Sequence, residues 1–315
     1  MRIQFLSSIN LEGTGYINIR NTYLIPLVGT KIAQEKAKFW TMSELLLKYA
    51  KNFHQNNNCT YITFSKDEFY KTLISEIHLF QVKRLHLHKN LNVANLSSNW
   101  EFVTLYYEFF FTSFIFLLFL HRGFVFINDT IAQTIESVLN QLSNNVCKFS
   151  KGNYFFFEDP SATTSDLVTI CFCKSGDNTH EALWKKLPET IKNELLCKAN
   201  NIEKSVYENL KEAVKIYGDA FPSQTRNHFN YTAQSAYNDI QKNISFVYKH
   251  SSDHIKDFLK LSFSKSDDWA QKARIVQYYY KILNKLTDLL YNEYVTRGNE
   301  NNDFHKYYQS IQHTF

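Results

Sequence analysis

From Phe102 to Leu120 the chain runs 19 residues with a single charge, Glu108. No other segment constrains the fold as tightly, because a stretch of that length and composition either crosses a bilayer or lies in a protein core. Its polar positions, Thr104, Tyr106, Tyr107, Glu108, Thr112 and Ser113, cluster in the first half. Only about a dozen residues after Glu108 are free of charge, short of the roughly 20 that a span requires. The segment therefore reads as a buried core helix from about Trp100 to His121, with Ser97, Ser98 and Asn99 as cap candidates. Basic residues lie near both ends, at Lys83, Arg84 and Lys89 before it and Arg122 after it, so a span would have no preferred orientation.

The rest of the chain supports helix as the main material. With 8 Gly and 4 Pro in 315 residues and 44% hydrophobic content, long elements joined by few tight turns are expected. Residues 30–54 have helical periodicity, with Phe39, Trp40, Leu45, Leu46 and Tyr49 near one face. Ser65 and Glu68 offer a capping box for a second helix, which runs on through "HLH" at His86 and His88. Residues 124–143 read as a fourth helix capped by Asn128 or Asp129, and helices return from His180 onward. Two regions differ. Residues 1–35, broken by Gly13, Gly15, Pro26 and Gly29, read as extended segments and turns, and residues 145–180 mix aromatic and β-branched runs with Gly, Pro and Ser. The expected fold class is thus mainly α, a helical bundle with a small β-containing or irregular insertion at about 145–180. The expected division is an N-terminal mixed region, 1–95, and a helical domain, 96–315.

Composition limits function without naming it. The net charge of +5 and pI near 8.7 permit nucleic-acid contact, although no long Lys/Arg block is present. The 47 Phe and Tyr residues fit translation from an AT-rich genome as readily as a selected aromatic surface. Five cysteines, Cys59, Cys147, Cys171, Cys173 and Cys197, are irregularly spaced and odd in number, which suggests thiols in a reducing cytosol. The start of the chain lacks the sustained apolar core of a signal peptide, and the expected location is cytoplasmic.

Familiar catalytic patterns do not fit. "CFC" at Cys171 and Cys173 and "HLH" at His86 and His88 are pairs without a matching second pair, so no metal is expected. The glycines near Gly13 and Gly29 lack a Gly-Lys-Ser/Thr or Gly-x-Gly-x-x-Gly arrangement, and no cofactor is expected. In "EDPSATTSDLVTICFCK" the acid that a magnesium nuclease needs two places before Lys174 is Phe172. No Gly-x-Ser-x-Gly elbow occurs either.

One polar stretch remains. "FPSQTRNHFNY" places Arg226, Asn227, His228, Asn230 and Tyr231 within six residues just after Pro222 and Ser223, which suit a helix start. There, unpaired backbone N–H groups and the helix dipole favour an anion, and Arg226 adds a planar donor fork suited to phosphate. Asn230 shares a face with Arg226, whereas His228 points away. The structural alternative has Arg226 paired with an acid such as Glu203 or Asp219 while Tyr231 and Tyr237 pack inward.

Two segments together carry a family resemblance. "WEFVTLYYEFFFTSFIFLLFLHRGF", Trp100 to Phe124, resembles the hallmark helix of HEPN-type proteins, in which a Tyr-Tyr pair precedes aromatic and aliphatic residues and a glycine at the helix end. Arg226, Asn230 and Tyr231 match the branch of that superfamily whose second motif is Arg, three residues, Asp or Asn, then Tyr. The resemblance covers about a third of the chain and implies a helical bundle that dimerises to bring two Arg-centred motifs together. It further implies metal-independent RNA cleavage by attack of a ribose 2′-OH on the adjacent phosphate, with Arg226, Asn227, His228, Asn230 and Tyr231 as the catalytic candidates. The implied partners are RNA, a second copy of the chain and a protein encoded nearby, in antiviral defence or a toxin–antitoxin module. The chain departs from the family where a proton-transferring His is expected and Tyr231 stands instead, its ordinary pKa near 10. The alternatives are a non-catalytic binding or scaffold module, and a membrane-associated effector that uses the Trp100–His121 segment.

Overall fold

The computed structural model describes residues 14–28, 41–56, 59–93, 97–142, 148–176, 178–199, 201–231 and 268–297. In chain order these form α1 (Thr14–Ile19), a π turn (Arg20–Leu24), α2 (Ile25–Val28), α3 (Met42–Lys48), β1 (Asn52–Asn56), β2 (Cys59–Ser65), α4 (Lys66–Val93) and α5 (Ser98–Phe119). Then come β3 (Arg122–Ile127), α6 (Asp129–Leu142), β4 (Gly152–Glu158), β5 (Leu167–Ser175), α7 (Thr179–Thr190), α8 (Asn201–Tyr217), α9 (Phe221–Tyr231) and α10 (Trp269–Arg297). The chain divides into a sheet unit, Tyr23–Gln81, Phe114–Ala182 and Glu293–Phe315, and a helical unit, Met1–Thr22, Val82–Ser113 and Leu183–Asn292.

The sheet corrects the expected fold class. Five antiparallel strands in the order β1-β2-β5-β4-β3 make this a mixed α and β protein, not a mainly helical bundle with an insertion. The hairpin of β4 and β5 lies where the insertion was expected, and it supplies the centre of the sheet. Three other strands complete it. β1 and β2 stand where a helix end and a loop were expected, and β3 where the start of a helix was expected. Successive residues of β2 alternate between half-buried and buried, which puts Thr60, Ile62 and Phe64 on the core face with Val168, Ile170 and Phe172 of β5. Residues 14–28 are also a correction, being helical turns rather than extended chain. Pro26 lies in α2, just after the π turn, and supplies no N–H to the helical ladder there.

Two local devices shape the sheet unit. Thr41 and Glu44 close a reciprocal capping box on α3, which contacts α6 and β3. After α5, His121 adopts a left-handed φ of 55° and reverses the chain into β3. Gly123 follows not as a helix end but inside β3: a Cβ there would lie 2.8 Å from the Phe156 ring and 3.2 Å from Leu118, so the close approach requires glycine. The Asn128 side chain caps α6 by accepting from the Ile131 N–H, as the sequence predicts.

In the helical unit, α8 buries Val206, Tyr207, Leu210 and Ala213, while α9 buries Phe221, Thr225 and Phe229 at helical spacing. The Tyr279 hydroxyl of α10 donates to the Leu210 carbonyl of α8 at 3.0 Å. α5 enters this unit with Phe102, Leu105, Tyr106 and Phe109 buried. The apolar window within Asn99–Phe119 is long enough to cross a membrane, and 83% of it is buried inside the protein, in keeping with a core helix.

Candidate functional site

The helical unit brings chemistry to α5 at three consecutive residues, Tyr106, Tyr107 and Glu108. Successive residues on a helix point about 100° apart, so this tripeptide serves two different neighbourhoods. Tyr106 and Tyr107 face Arg226 of α9. Glu108 faces a polar cluster built with α4 and α10.

At the first neighbourhood the Arg226 guanidinium lies over both tyrosine rings, 5.3 Å from the Tyr106 centroid and 5.4 Å from that of Tyr107. The two rings stand 79° apart, so the guanidinium sits in the corner between them, held by cation–π attraction to both. The Nε atom is buried and has no hydrogen-bond partner among the described residues. Behind the rings, the Trp184 indole N–H donates to the Tyr106 hydroxyl at 3.0 Å, and Ser223 also bonds that hydroxyl. Burial raises the Tyr106 pKa against the lowering effect of those bonds and of Arg226, so the phenol is neutral. Phe102 packs edge-on against Phe229, fixing α9 on α5.

The five residues singled out from sequence do not converge. Arg226 and Asn230 are half-buried one turn apart, as their spacing requires. His228 stacks flat on Trp269, centroids 4.3 Å apart and planes 7° off parallel, and Lys272 sits 4.0 Å from the same indole. Asn227 is exposed, and Tyr231 is 75% exposed, so Tyr231 does not pack inward. Tyr237 lies outside the described residues. α9 begins at Phe221, which puts Arg226 in its second turn rather than among the unpaired N–H groups of the first. The expected dipole contribution at Arg226 is accordingly corrected to a local one, from the tyrosines.

The second neighbourhood is one the sequence reading missed. Glu108 is 1% exposed, and its Oε1 accepts a hydrogen bond from the Tyr280 hydroxyl and lies 3.0 Å from His88 Nδ1. Arg84, one turn before His88 on α4, pairs with Asp288 of α10, which also accepts from Asn284 at 3.2 Å. Burial alone works against the Arg84 charge, and the field of Asp288, with Tyr280 and Glu108, overcomes it and raises the pKa. Gln277, Tyr280, Asn284 and Asp288 recur at three or four residues along α10, a polar stripe in a helix otherwise rich in buried Tyr, Ile and Leu. That stripe, met by Arg84 and His88 at i, i+4, was the available signal. Several atoms remain unpaired among the described residues: Glu108 Oε2, Arg84 Nε and Nη1, both amide atoms of Gln277 and Asn284 Oδ1. Unpaired buried polar atoms at this density mark a place where water or a ligand enters.

A correction also concerns the cysteines. Cys59 and Cys173 form a disulfide between β2 and β5, where the sequence predicts thiols; Cys171 and Cys197 are free, and Cys147 lies outside the described residues. No protein-family model, characterised protein or solved structure matches this chain.

Proposed function

We propose that the helical unit acts on RNA, as an RNA-directed effector of the HEPN type in prokaryotic defence or a toxin–antitoxin module, with Arg226 as the phosphate-contacting residue. The observation that carries this reading is the cation–π contact of Arg226 with Tyr106 and Tyr107. The two segments that resemble the family lie more than a hundred residues apart in the chain, and they meet at this contact. Contact with two aromatic rings holds the guanidinium in place, so that less ordering is left when its N–H groups meet a phosphate. In the metal-independent reaction the ribose 2′-OH attacks the adjacent phosphorus, the 5′ oxygen departs, and Arg226 stabilises the charge that gathers on the phosphoryl oxygens. Asn230 lies one helical turn on from Arg226, and a second copy of the chain would bring a second Arg226.

A specific observation favours the non-catalytic alternative as the second reading. His228, the only histidine in the motif, is engaged with Trp269 and sits two residues from Arg226 on another face. In that version Arg226 binds RNA and no proton-transfer group completes the site. The test is cleavage and binding of mixed labelled RNAs by the wild-type protein, Arg226→Ala and Arg226→Lys in EDTA, with folding checked by circular dichroism. Cleavage lost in both variants supports the nuclease. Binding without cleavage, weakened at least tenfold by Arg226→Ala, supports the binding module. RNA bound equally by all three proteins overturns both.

A further inference from the structure

On the outer face of the sheet three sulfur atoms stand together. The β2–β5 register pairs Cys59 with Cys173 and Tyr61 with Cys171, and residues two apart on a strand share a face. The Sγ atoms of Cys59, Cys171 and Cys173 all lie within 4.8 Å of one another, with those of Cys171 and Cys173 3.5 Å apart. Neighbours on that face complete a partly apolar surround. Phe155 and Phe157 of β4 lie opposite Cys173 and Cys171, and the Tyr61 hydroxyl hydrogen-bonds the Cys171 sulfur while its ring stacks on His54. Cys171 is fully buried, and Cys59 and Cys173 are half-buried.

We propose that these cysteines form a redox-gated site for a single soft monovalent metal ion of the copper(I) type, closed by the Cys59–Cys173 disulfide and opened by its reduction. The inference is independent of the RNA reading. It rests on the triangular disposition of the sulfurs. Attack of Cys171 on the disulfide needs three sulfurs in line, which would separate the outer two by about 5.5 Å given a bond of about 2.0 Å. The observed limit of 4.8 Å excludes that alignment and leaves a triangle, the arrangement in which three thiolates surround one ion. Three sulfur donors with no fourth ligand in the cluster among the described residues suit three-coordinate copper(I), whereas zinc takes four ligands. The step balances as follows. A dithiol reductant supplies two electrons and two protons, the disulfide becomes two thiols and the dithiol becomes a cyclic disulfide; one copper(I) ion then displaces three protons from three thiols.

The test uses the full chain carrying Cys147→Ser and Cys197→Ser, so that three cysteines remain, handled anaerobically with copper(I) in competition with a chromogenic chelator. Fully reduced protein is expected to bind one copper per chain, to show thiolate-to-copper charge-transfer absorption in the near ultraviolet, and to have all three cysteines protected from alkylation as mapped by mass spectrometry. Protein left oxidised is expected to bind none, and Cys171→Ser to lower copper affinity at least a hundredfold. Alkylation mapping needs no further substitution, so it decides the matter even where Cys171→Ser fails to fold. The proposal is overturned if reduced, folded protein leaves the three thiols unprotected, if Cys171→Ser binds copper as the parent does, or if zinc(II) is retained in preference to copper(I).

Discussion

Glu158 in the sheet unit and Glu108 in the helical unit are both withdrawn from solvent beside a histidine, and they differ in what is left unbonded. Glu158 Oε2 meets His121 Nδ1, its Oε1 accepts from Thr163 at 3.2 Å, and His121 Nε2 lies 3.1 Å from the Tyr23 carbonyl oxygen. The Glu158 N–H also donates to the His121 carbonyl, so backbone and side chains close one ring of contacts. At Glu108 both partners share Oε1, and Oε2 has none among the described residues. A closed network holds a fold, whereas an open one in a core retains unused bonding capacity at a cost in stability. His121–Glu158 thus belongs to the architecture, at the turn from α5 to β3, whereas Glu108 Oε2 and Arg84 Nε and Nη1 keep unused bonding capacity among the described residues.

The largest effect is expected from breaking the closed pair. His121→Ala removes both side-chain contacts of the imidazole, to Glu158 and to the Tyr23 carbonyl, and places Ala at a φ of 55°, so it should cost about 3–5 kcal/mol, read from urea unfolding midpoints. His121→Asn tolerates the left-handed backbone and should recover about 1 kcal/mol of that loss. Equal costs for the two variants would remove the backbone from the explanation.

Acid should expose the same difference. Burial pushes the Glu158 carboxyl up, yet the hydrogen bond and charge of His121 outweigh it, and the pKa lies below its ordinary value. A depressed folded pKa means stability that is present above the unfolded value near 4.3 and is lost as pH falls through the folded one. Stability is therefore expected to decline from about pH 5 downward, and Glu158→Gln, costing about 1–3 kcal/mol at pH 7, should flatten that decline. An unchanged acid limb in Glu158→Gln would assign it to other carboxylates.

The helical unit tolerates a further buried charge, and this sharpens the contrast at alkaline pH. Burial lowers the pKa of Lys281 on α10 to about 8. Between about pH 8 and its ordinary value near 10.4 the unfolded chain holds a proton that the folded chain has lost, so stability should rise with pH across that window. Lys281→Met should remove the rise and stabilise the protein at pH 7 by about 1–2 kcal/mol, as measured by urea titration at pH 7 and pH 10.

The contrast also explains what was legible beforehand. The core role of α5 followed from the position of its polar residues, and the caps at Ser65 and Asn128 followed from local chemistry. β1, "NFHQN", buries only Phe53 and so carries no alternating signal; its pairing partners alone make it a strand. β3, "RGFVFI", continues an apolar run from α5, and periodicity cannot separate a short apolar strand from a helix. The sequence singled out Tyr106, Tyr107 and Arg226 without placing them in contact, and Glu108, Arg84 and Asn284 acquire meaning only when three helices bring their stripes together.

The smallest effect is expected where the network is open. In Glu108→Gln the amide oxygen can still accept from Tyr280, and the amide N–H groups point where Oε2 had no partner. His88 is partly exposed, at 35% of its side chain, and can turn to water, while Arg84 keeps Asp288. The expected cost is within about 1 kcal/mol, since one charged interaction with Arg84 is lost while an unpartnered charged oxygen is replaced by a neutral amide group, which costs less to bury. Thermal and urea unfolding of Glu108→Gln beside Glu158→Gln measure this directly. A cost at Glu108 equal to that at Glu158 would make the cluster architectural like its counterpart. A near-neutral Glu108→Gln that changes RNA binding or cleavage would instead make Glu108 a functional residue, held in the core at the expense of stability.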